Sequence, residues 1–194
     1  NDYASALHRV SEEAHAAGDR LDIGNLVAFR QARGNLDIAI VAVADGMGTG
    51  RIASDCSRFV LESLYQLLRV GLTPPDAITS MNAALPLNIP SECFSTVDLA
   101  VFDLLKGRCS IYKAGGAPSI VQRGEQAGIL KMPALPIGII EEPDIKYTTF
   151  PIEHGDRYFF MSDGVTESPP PDSKLDWAVE LIQEHPDEPP RSIS

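Results

Sequence analysis

The stretch Leu36-Asp37-Ile38-Ala39-Ile40-Val41-Ala42-Val43-Ala44 is apolar at all but one position and stops abruptly at Asp45-Gly46. A nearly continuous apolar run of this length suits an interior strand covered on both faces. The chain must therefore build a sheet around it and layers over it. After the run come Gly46-Met47-Gly48-Thr49-Gly50 and then, from Arg51 to Val70, a stripe of Ile52, Cys56, Phe59, Val60, Leu64, Leu67 and Leu68 at helical period, stopped by Gly71. Thr73-Pro74 opens a second helix reaching about Leu85, expected to pack on the first.

The rest of the chain has a different grammar. One extended run, Leu26–Gln31, precedes the apolar strand across the turn signal Arg33-Gly34-Asn35. Beyond Pro90 come short β-rich runs at Phe94–Asp103, Arg108–Ala114, Ser119–Arg123, Ile145–Ile152 and Arg157–Ser162, then a final helix around Leu175–Glu184. Strands, two helices, more strands and a helix predict an α+β layered domain of antiparallel sheets rather than a βαβ repeat. Ala4, Leu7, Val10, Ala14 and Ala17 recur at helical spacing and predict an N-terminal helix over residues 1–20, which either caps the sheet or ends a linker from an upstream region. Residues 21–194 are read as one domain.

Sixteen basic against 27 acidic side chains leave a net charge of −11, which excludes a basic nucleic-acid binder. No apolar segment approaches the roughly 20 residues a bilayer span needs. Asn1-Asp2-Tyr3 does not open a signal peptide, so the expected location is the cytoplasm, including as the cytoplasmic domain of a larger or membrane-attached protein. Cys56, Cys93 and Cys109 form no C-x-x-C and are expected to be reduced, packed thiols. The four histidines are scattered, which leaves no zinc-type ligand set.

Two places carry the chemistry, and they look alike: Val43-Ala44-Asp45-Gly46 and Met161-Ser162-Asp163-Gly164. Each reads as an apolar strand ending in Asp-Gly. A carboxylate just past a buried strand is held rigidly, and the following glycine lets the backbone turn and offer its carbonyl. Two such ends side by side would suit a hard divalent cation. A lone Asp-Gly more often marks a hairpin turn. Here the first instead runs through Gly46-x-Gly48-x-Gly50 into a long helix, a loop fit for metal and phosphate together. Neither G-x-G-x-x-G nor G-K-[ST] is present, so dinucleotide folds and P-loops do not fit.

Asp45-Gly46-Met47-Gly48-Thr49-Gly50, Phe94-Ser95-Thr96-Val97-Asp98-Leu99, Gly115-Gly116-Ala117-Pro118-Ser119, Leu135-Pro136-Ile137-Gly138-Ile139 and Met161-Ser162-Asp163-Gly164-Val165 occur in an order that resembles the sporulation stage II protein E type phosphatases, the bacterial branch of the metal-dependent (PPM) serine/threonine phosphatases. The resemblance covers roughly Gly24 to Glu184. It implies a four-layer α-β-β-α sandwich of two stacked antiparallel sheets with a dinuclear Mn²⁺ or Mg²⁺ site at one end. It also implies that Asp45 bridges both metals, that Gly46 contributes its carbonyl and that Asp163 ligates one metal, while Thr96, Asp98 and Gly115 to Ser119 line or brace the site. The reaction implied is hydrolysis of a phosphoserine or phosphothreonine by a metal-activated water. The implied partner is a phosphorylated anti-anti-sigma factor of the STAS type, in control of a stress or sporulation sigma factor, and pairing with a second copy of the chain is left open.

The sequence departs from the family pattern in two places. The family's Gly-Asp pair before the first strand is met by Gly18-Asp19 or, at better spacing, by Gly24-Asn25, which puts an amide where a carboxylate is expected. The family's later Asp-Asp-x-Thr motif, with a further metal aspartate, is not found before Ser194, and Asp172, Asp176 and Asp187 are no convincing substitutes. A site with fewer carboxylates is expected to hold its cations more weakly. The alternative functions are a catalytically impaired or non-catalytic module of the same fold that binds the same partner, and hydrolysis of a small phosphate ester. Arg51 is the expected local cation offsetting the acidic surface at the site.

Overall fold

A computed structural model describes residues 25–33, 36–48, 50–89, 93–163 and 175–184. The helix expected over residues 1–20 lies outside them. In chain order the elements are β1 (Asn25–Arg33), β2 (Leu36–Gly46), α1 (Arg51–Arg69), α2 (Pro74–Asn88), β3 (Ser95–Asp103), β4 (Arg108–Ala114), β5 (Ser119–Arg123), β6 (Gln126–Leu130), β7 (Lys146–Pro151), β8 (Arg157–Phe159) and α3 (Asp176–Glu184). The described residues form two compact units, one comprising those up to Gly116 with Pro133–Pro151, the other Ala117–Met132 with those from Ile152 onward.

The first unit is a five-stranded antiparallel sheet in the order β1-β2-β3-β4-β7, with α1 and α2 on one face. As the apolar run requires, β2 is interior, paired with β1 on one side and β3 on the other. Alternate residues point to opposite faces. Ile40, Ala42 and Ala44 of β2 and Val97 and Leu99 of β3 pack with Cys56, Val60, Leu61, Leu64 and Leu68 of α1 and Ala77, Ile78, Met81 and Leu85 of α2. Each fully buried Leu, Ile or Val contributes about 1.5–3 kcal/mol, which fixes α1 against the strand end that precedes it. Thr73 caps α2 by accepting from the Asp76 N–H, with proline in the first turn, as its sequence predicts.

The second unit is a three-stranded antiparallel sheet, β6-β5-β8, with Ile120 of β5 packed against Leu175, Ala178 and Ile182 at α3. Strand β6 is not among the runs expected from sequence. It pairs with β5 through a hairpin whose two loop residues are Gly124 and Glu125, and Gly124 takes the positive φ such a turn needs. The expected strand Arg157–Ser162 is shorter, ending at Phe159. The α+β class and the two antiparallel sheets are as expected.

The cysteines need correction. Cys56 in α1 and Cys93 just before β3 are joined as a disulfide, and only Cys109 is a buried thiol. Their separation of 37 positions in sequence gives no cue, whereas the fold sets α1 against the lead-in to β3.

Candidate metal centre

Asp45 and Gly46 are the last two residues of β2, opposite Thr96 and Ser95 of β3. The packed side of the strand takes Ala42 and Ala44, so Asp45 lies on the other face together with Val43. Register places Thr96, Asp98 and, across β4, Lys113 on that same face. The candidate ligand thus sits at the end of a face that also holds a buried ion pair.

The backbone around Asp45 is held at three consecutive residues. The Asp45 N–H donates to Thr96 Oγ1 at 3.1 Å, and its carbonyl accepts from the Ser95 hydroxyl at 3.1 Å. The Gly46 N–H donates to Ser57 Oγ at 2.8 Å, and that hydroxyl donates to the Ala53 carbonyl at 2.9 Å. The Met47 N–H donates to the Phe94 carbonyl at 2.8 Å. A side chain at position 46 has no room, because a Cβ there would collide with the Ala53 carbonyl of α1. Gly50, the N-cap of α1, has φ +80, a conformation that L side chains rarely adopt. Glycine is required in this loop for close approach at one position and for turning into the helix at the other.

Asp98 and Lys113 form a buried pair, 3% and 0% exposed, with Nζ 2.5 Å from Oδ2. The other carboxylate oxygen, Oδ1, is buried without a hydrogen-bond partner among the described residues and packs where a Cβ on Gly116 would stand. Burial pushes the Asp98 carboxyl up and the Lys113 ammonium down, with the ion pair opposing both. Asp98 therefore braces the turn after β4, as the second glycine of Gly115-Gly116 permits. Sequence reasoning missed Lys113, Ser57 and Ser95. The lysine was legible in part, since it lies two and four residues after Ile111 and Cys109 along β4 and so shares their inward face.

Asp163 belongs to the second unit, where it is exposed and lies four residues past the end of β8. Asp45, Gly46, Thr96, Asp98 and Gly116 are gathered within the first unit, while Asp163 and Ser119 are placed within the second. Arg51, the first residue of α1, is 93% exposed and lies 3.6 Å from Asp55. Among the described residues no three His, Cys, Asp or Glu side chains cluster, and no helix is long and apolar enough to cross a membrane. The donors offered at the β2 end are oxygens, a carboxylate and main-chain carbonyls, a set that suits a hard divalent cation better than a soft one.

A family model described as Stage II sporulation protein E (SpoIIE) matches residues 37–194. The chain is 37% identical over 164 residues to Stage II sporulation protein E of Bacillus subtilis, covering 84% of this chain and 19% of that protein. It is 27% identical over 149 residues to the phosphoserine phosphatase RsbU of Bacillus subtilis, covering 75% of this chain and 44% of the relative. The solved PP2C phosphatase domain of SpoIIE from Bacillus subtilis, with a fragment of its regulatory domain, superposes with a TM-score of 0.70 at 31% identity, covering 81% of this chain and 46% of that one. That likeness accords with the expected sandwich. The chain spans less than half the length of these relatives.

Proposed function

This chain belongs to the Stage II sporulation protein E family, and we propose that it is a metal-dependent protein phosphatase domain acting on phosphoserine or phosphothreonine. In this reading Asp45 and Gly46 at the end of β2, and Asp163 beyond β8, would be the residues that hold Mn²⁺ or Mg²⁺. When bound, such cations lower the pKa of a water and offset charge on the phosphoryl oxygens.

The chain's own residues do the positioning. Thr96 and Ser95 fix the main chain of Asp45 on both sides, so its carboxylate enters a ligand set without ordering a loop first. Ser57 and Phe94 do the same for Gly46 and Met47. Arg51, exposed at the start of α1, is the cation nearest in sequence to the loop and offsets the net charge of −11 for an incoming phosphate. If Arg51→Ala leaves binding and turnover of a phosphorylated protein unchanged, Arg51 has no such role.

The substrate we propose is a phosphorylated anti-anti-sigma protein of the STAS type in a sporulation or stress sigma-factor circuit, as the likeness to SpoIIE and to the phosphoserine phosphatase RsbU supports. We place the domain in the cytoplasm, with residues 1–20 as the end of a regulatory linker and residues 21–194 as the phosphatase domain.

One observation carries the reading: an aspartate at the end of an interior strand whose main chain, with that of the two following residues, is held by hydrogen bonds with Thr96, Ser95, Ser57 and Phe94. The test is phosphate release from a phosphoserine protein with and without Mn²⁺. Turnover that needs Mn²⁺ supports the enzyme. A folded chain that binds a phosphorylated STAS protein without turnover at any Mn²⁺ concentration is a non-catalytic module instead.

A further inference from the structure

Cys56 and Cys93 are bridged with their Cα atoms 6.2 Å apart, inside the ordinary range for disulfides. Both are buried, Cys56 at 1% exposure and Cys93 at 8%. Their neighbours in sequence are the groups that hold the candidate metal loop. Ser57, next to Cys56, accepts the Gly46 N–H. Phe94, next to Cys93, accepts the Met47 N–H, and Ser95 donates to the Asp45 carbonyl. Three consecutive loop residues therefore hang from two segments, one in α1 and one leading into β3. Among the described residues, the bridge is the one covalent cross-link between those segments.

We propose that Cys56 and Cys93 are a redox modification site that staples together the two clamps of the Asp45-Gly46-Met47 loop. Oxidised, the pair keeps Ser57 at a fixed distance from Phe94 and Ser95, and the loop is held in one conformation. Reduced, α1 and the lead-in to β3 are joined by packing and hydrogen bonds alone, and the loop opens more often. The consequence for cation affinity rests on the metal-site reading above; the staple itself does not.

The oxidant is a low-molecular-weight disulfide, for which glutathione disulfide serves as the probe. The thiolate of Cys93, the more exposed of the two, attacks one glutathione sulfur, and a glutathione thiolate leaves. Cys56, after losing its proton to water, attacks the Cys93 sulfur of the mixed disulfide and expels the second glutathione. Two electrons pass to the oxidant, giving one protein disulfide and two glutathione thiols. A dithiol such as dithiothreitol reverses the sequence.

The experiment uses the whole chain, equilibrated with glutathione disulfide or with dithiothreitol, then unfolded and alkylated with a maleimide for mass analysis. One adduct, at Cys109, is expected after oxidation and three after reduction. Hydrogen exchange of the native chain should be severalfold slower at Gly46 and Met47 in the oxidised form, with a smaller change in β4 and β7. Cys56→Ser should exchange at the reduced rate whatever glutathione is present. If that variant does not fold, the two redox forms of the native sequence decide by themselves. Manganese titration should show the oxidised form binding severalfold more tightly. Three adducts under both conditions, a lasting glutathione adduct at Cys93, or equal exchange at Gly46 and Met47 in the two forms each overturn the proposal. Absence of Mn²⁺ binding in both forms overturns the metal-site reading, and the exchange comparison still decides the staple.

Discussion

Two strand ends that read alike in sequence are built to different standards. At the end of β2, Asp45 is the last but one residue of an 11-residue interior strand, and groups from α1, β3 and the residue before β3 hold its main chain and that of the two residues after it. At the other end, β8 is three residues long, pairs with β5 and stops at Phe159, leaving Asp163 exposed and beyond the ladder. An apolar run followed by Asp-Gly predicts a strand end, but the rigidity of that end comes from neighbours that are distant in sequence. Ser57 is 11 residues from Gly46, and Thr96 is 51 from Asp45.

The largest effects come from the carboxylates. If the proposed metal site is right, Asp45→Asn keeps the main-chain bonds of the loop and removes the charge of a candidate ligand, so Mn²⁺-dependent phosphate release should fall by more than about a hundredfold with the melting temperature little changed. Asp163→Asn is the informative comparison. An equal fall makes the two ends chemically equivalent despite their different construction, whereas full activity would leave Asp45 as the one essential carboxylate of the pair.

Next in size is the buried ion pair on the same sheet face as Asp45. Lys113→Met leaves the Asp98 carboxylate buried and uncompensated, which should cost about 3–5 kcal/mol, measured as the shift in urea midpoint. Replacing both, Asp98→Leu with Lys113→Met, should recover most of that loss, since an apolar pair of similar volume avoids the desolvation of two charges. A double variant as stable as the native chain but impaired in Mn²⁺ binding would show that the pair serves the site and not the fold.

How far this was legible follows from particular residues. The run Leu36–Ala44, the stripe from Ile52 to Leu68 and the Thr73-Pro74 start each carry a local signal, and each became the expected element. Strand β6, Gln126-Ala127-Gly128-Ile129-Leu130, has few branched residues and carries a glycine, so pairing with β5 and not propensity makes it a strand. The candidate ligands were readable because Asp-Gly at a strand end is a local pattern. Ser57, Ser95 and the Cys56–Cys93 bridge were not, and Lys113 was readable only as an inward position on β4 and not as the partner of Asp98, because each acts across a contact that exists only after the chain has packed.

A smaller effect tests the tightness of the Asp45 end. In Gly46→Ala the new methyl meets the Ala53 carbonyl, and backbone of β2 or α1 must shift. Overpacking of this kind typically costs about 1–3 kcal/mol, so the urea midpoint should fall by that equivalent. Mn²⁺ affinity should fall with it if the Gly46 carbonyl is a ligand. A variant of native stability would mean that the loop gives way more easily than its hydrogen bonds indicate.

The smallest effect belongs to the second unit, where electrostatics at a turn stand in for the long strand pairing of the first. Arg123 at the end of β5 grips Asp156 through Nε at 2.8 Å and a second nitrogen at 2.7 Å, and a further nitrogen reaches Glu153 at 2.8 Å. Burial alone would raise the Asp156 carboxyl, but the Arg123 hydrogen bonds, the Glu153 N–H and the Tyr158 hydroxyl together hold it below the usual carboxylate range. A folded-state pKa below the unfolded value of about 3.9 gives stability that is present above that pH and lost as pH falls through the folded value. Arg123→Met should therefore lower the urea midpoint of this unit at pH 7, and the difference from the native chain should shrink progressively below about pH 4. Trp177, the single tryptophan, packs in the cluster around Ile120, so its fluorescence reads the second unit. A variant difference that persisted unchanged into acid would mean that Arg123 acts through packing of its aliphatic stem, and the two units would then differ in size but not in the kind of interaction that holds them.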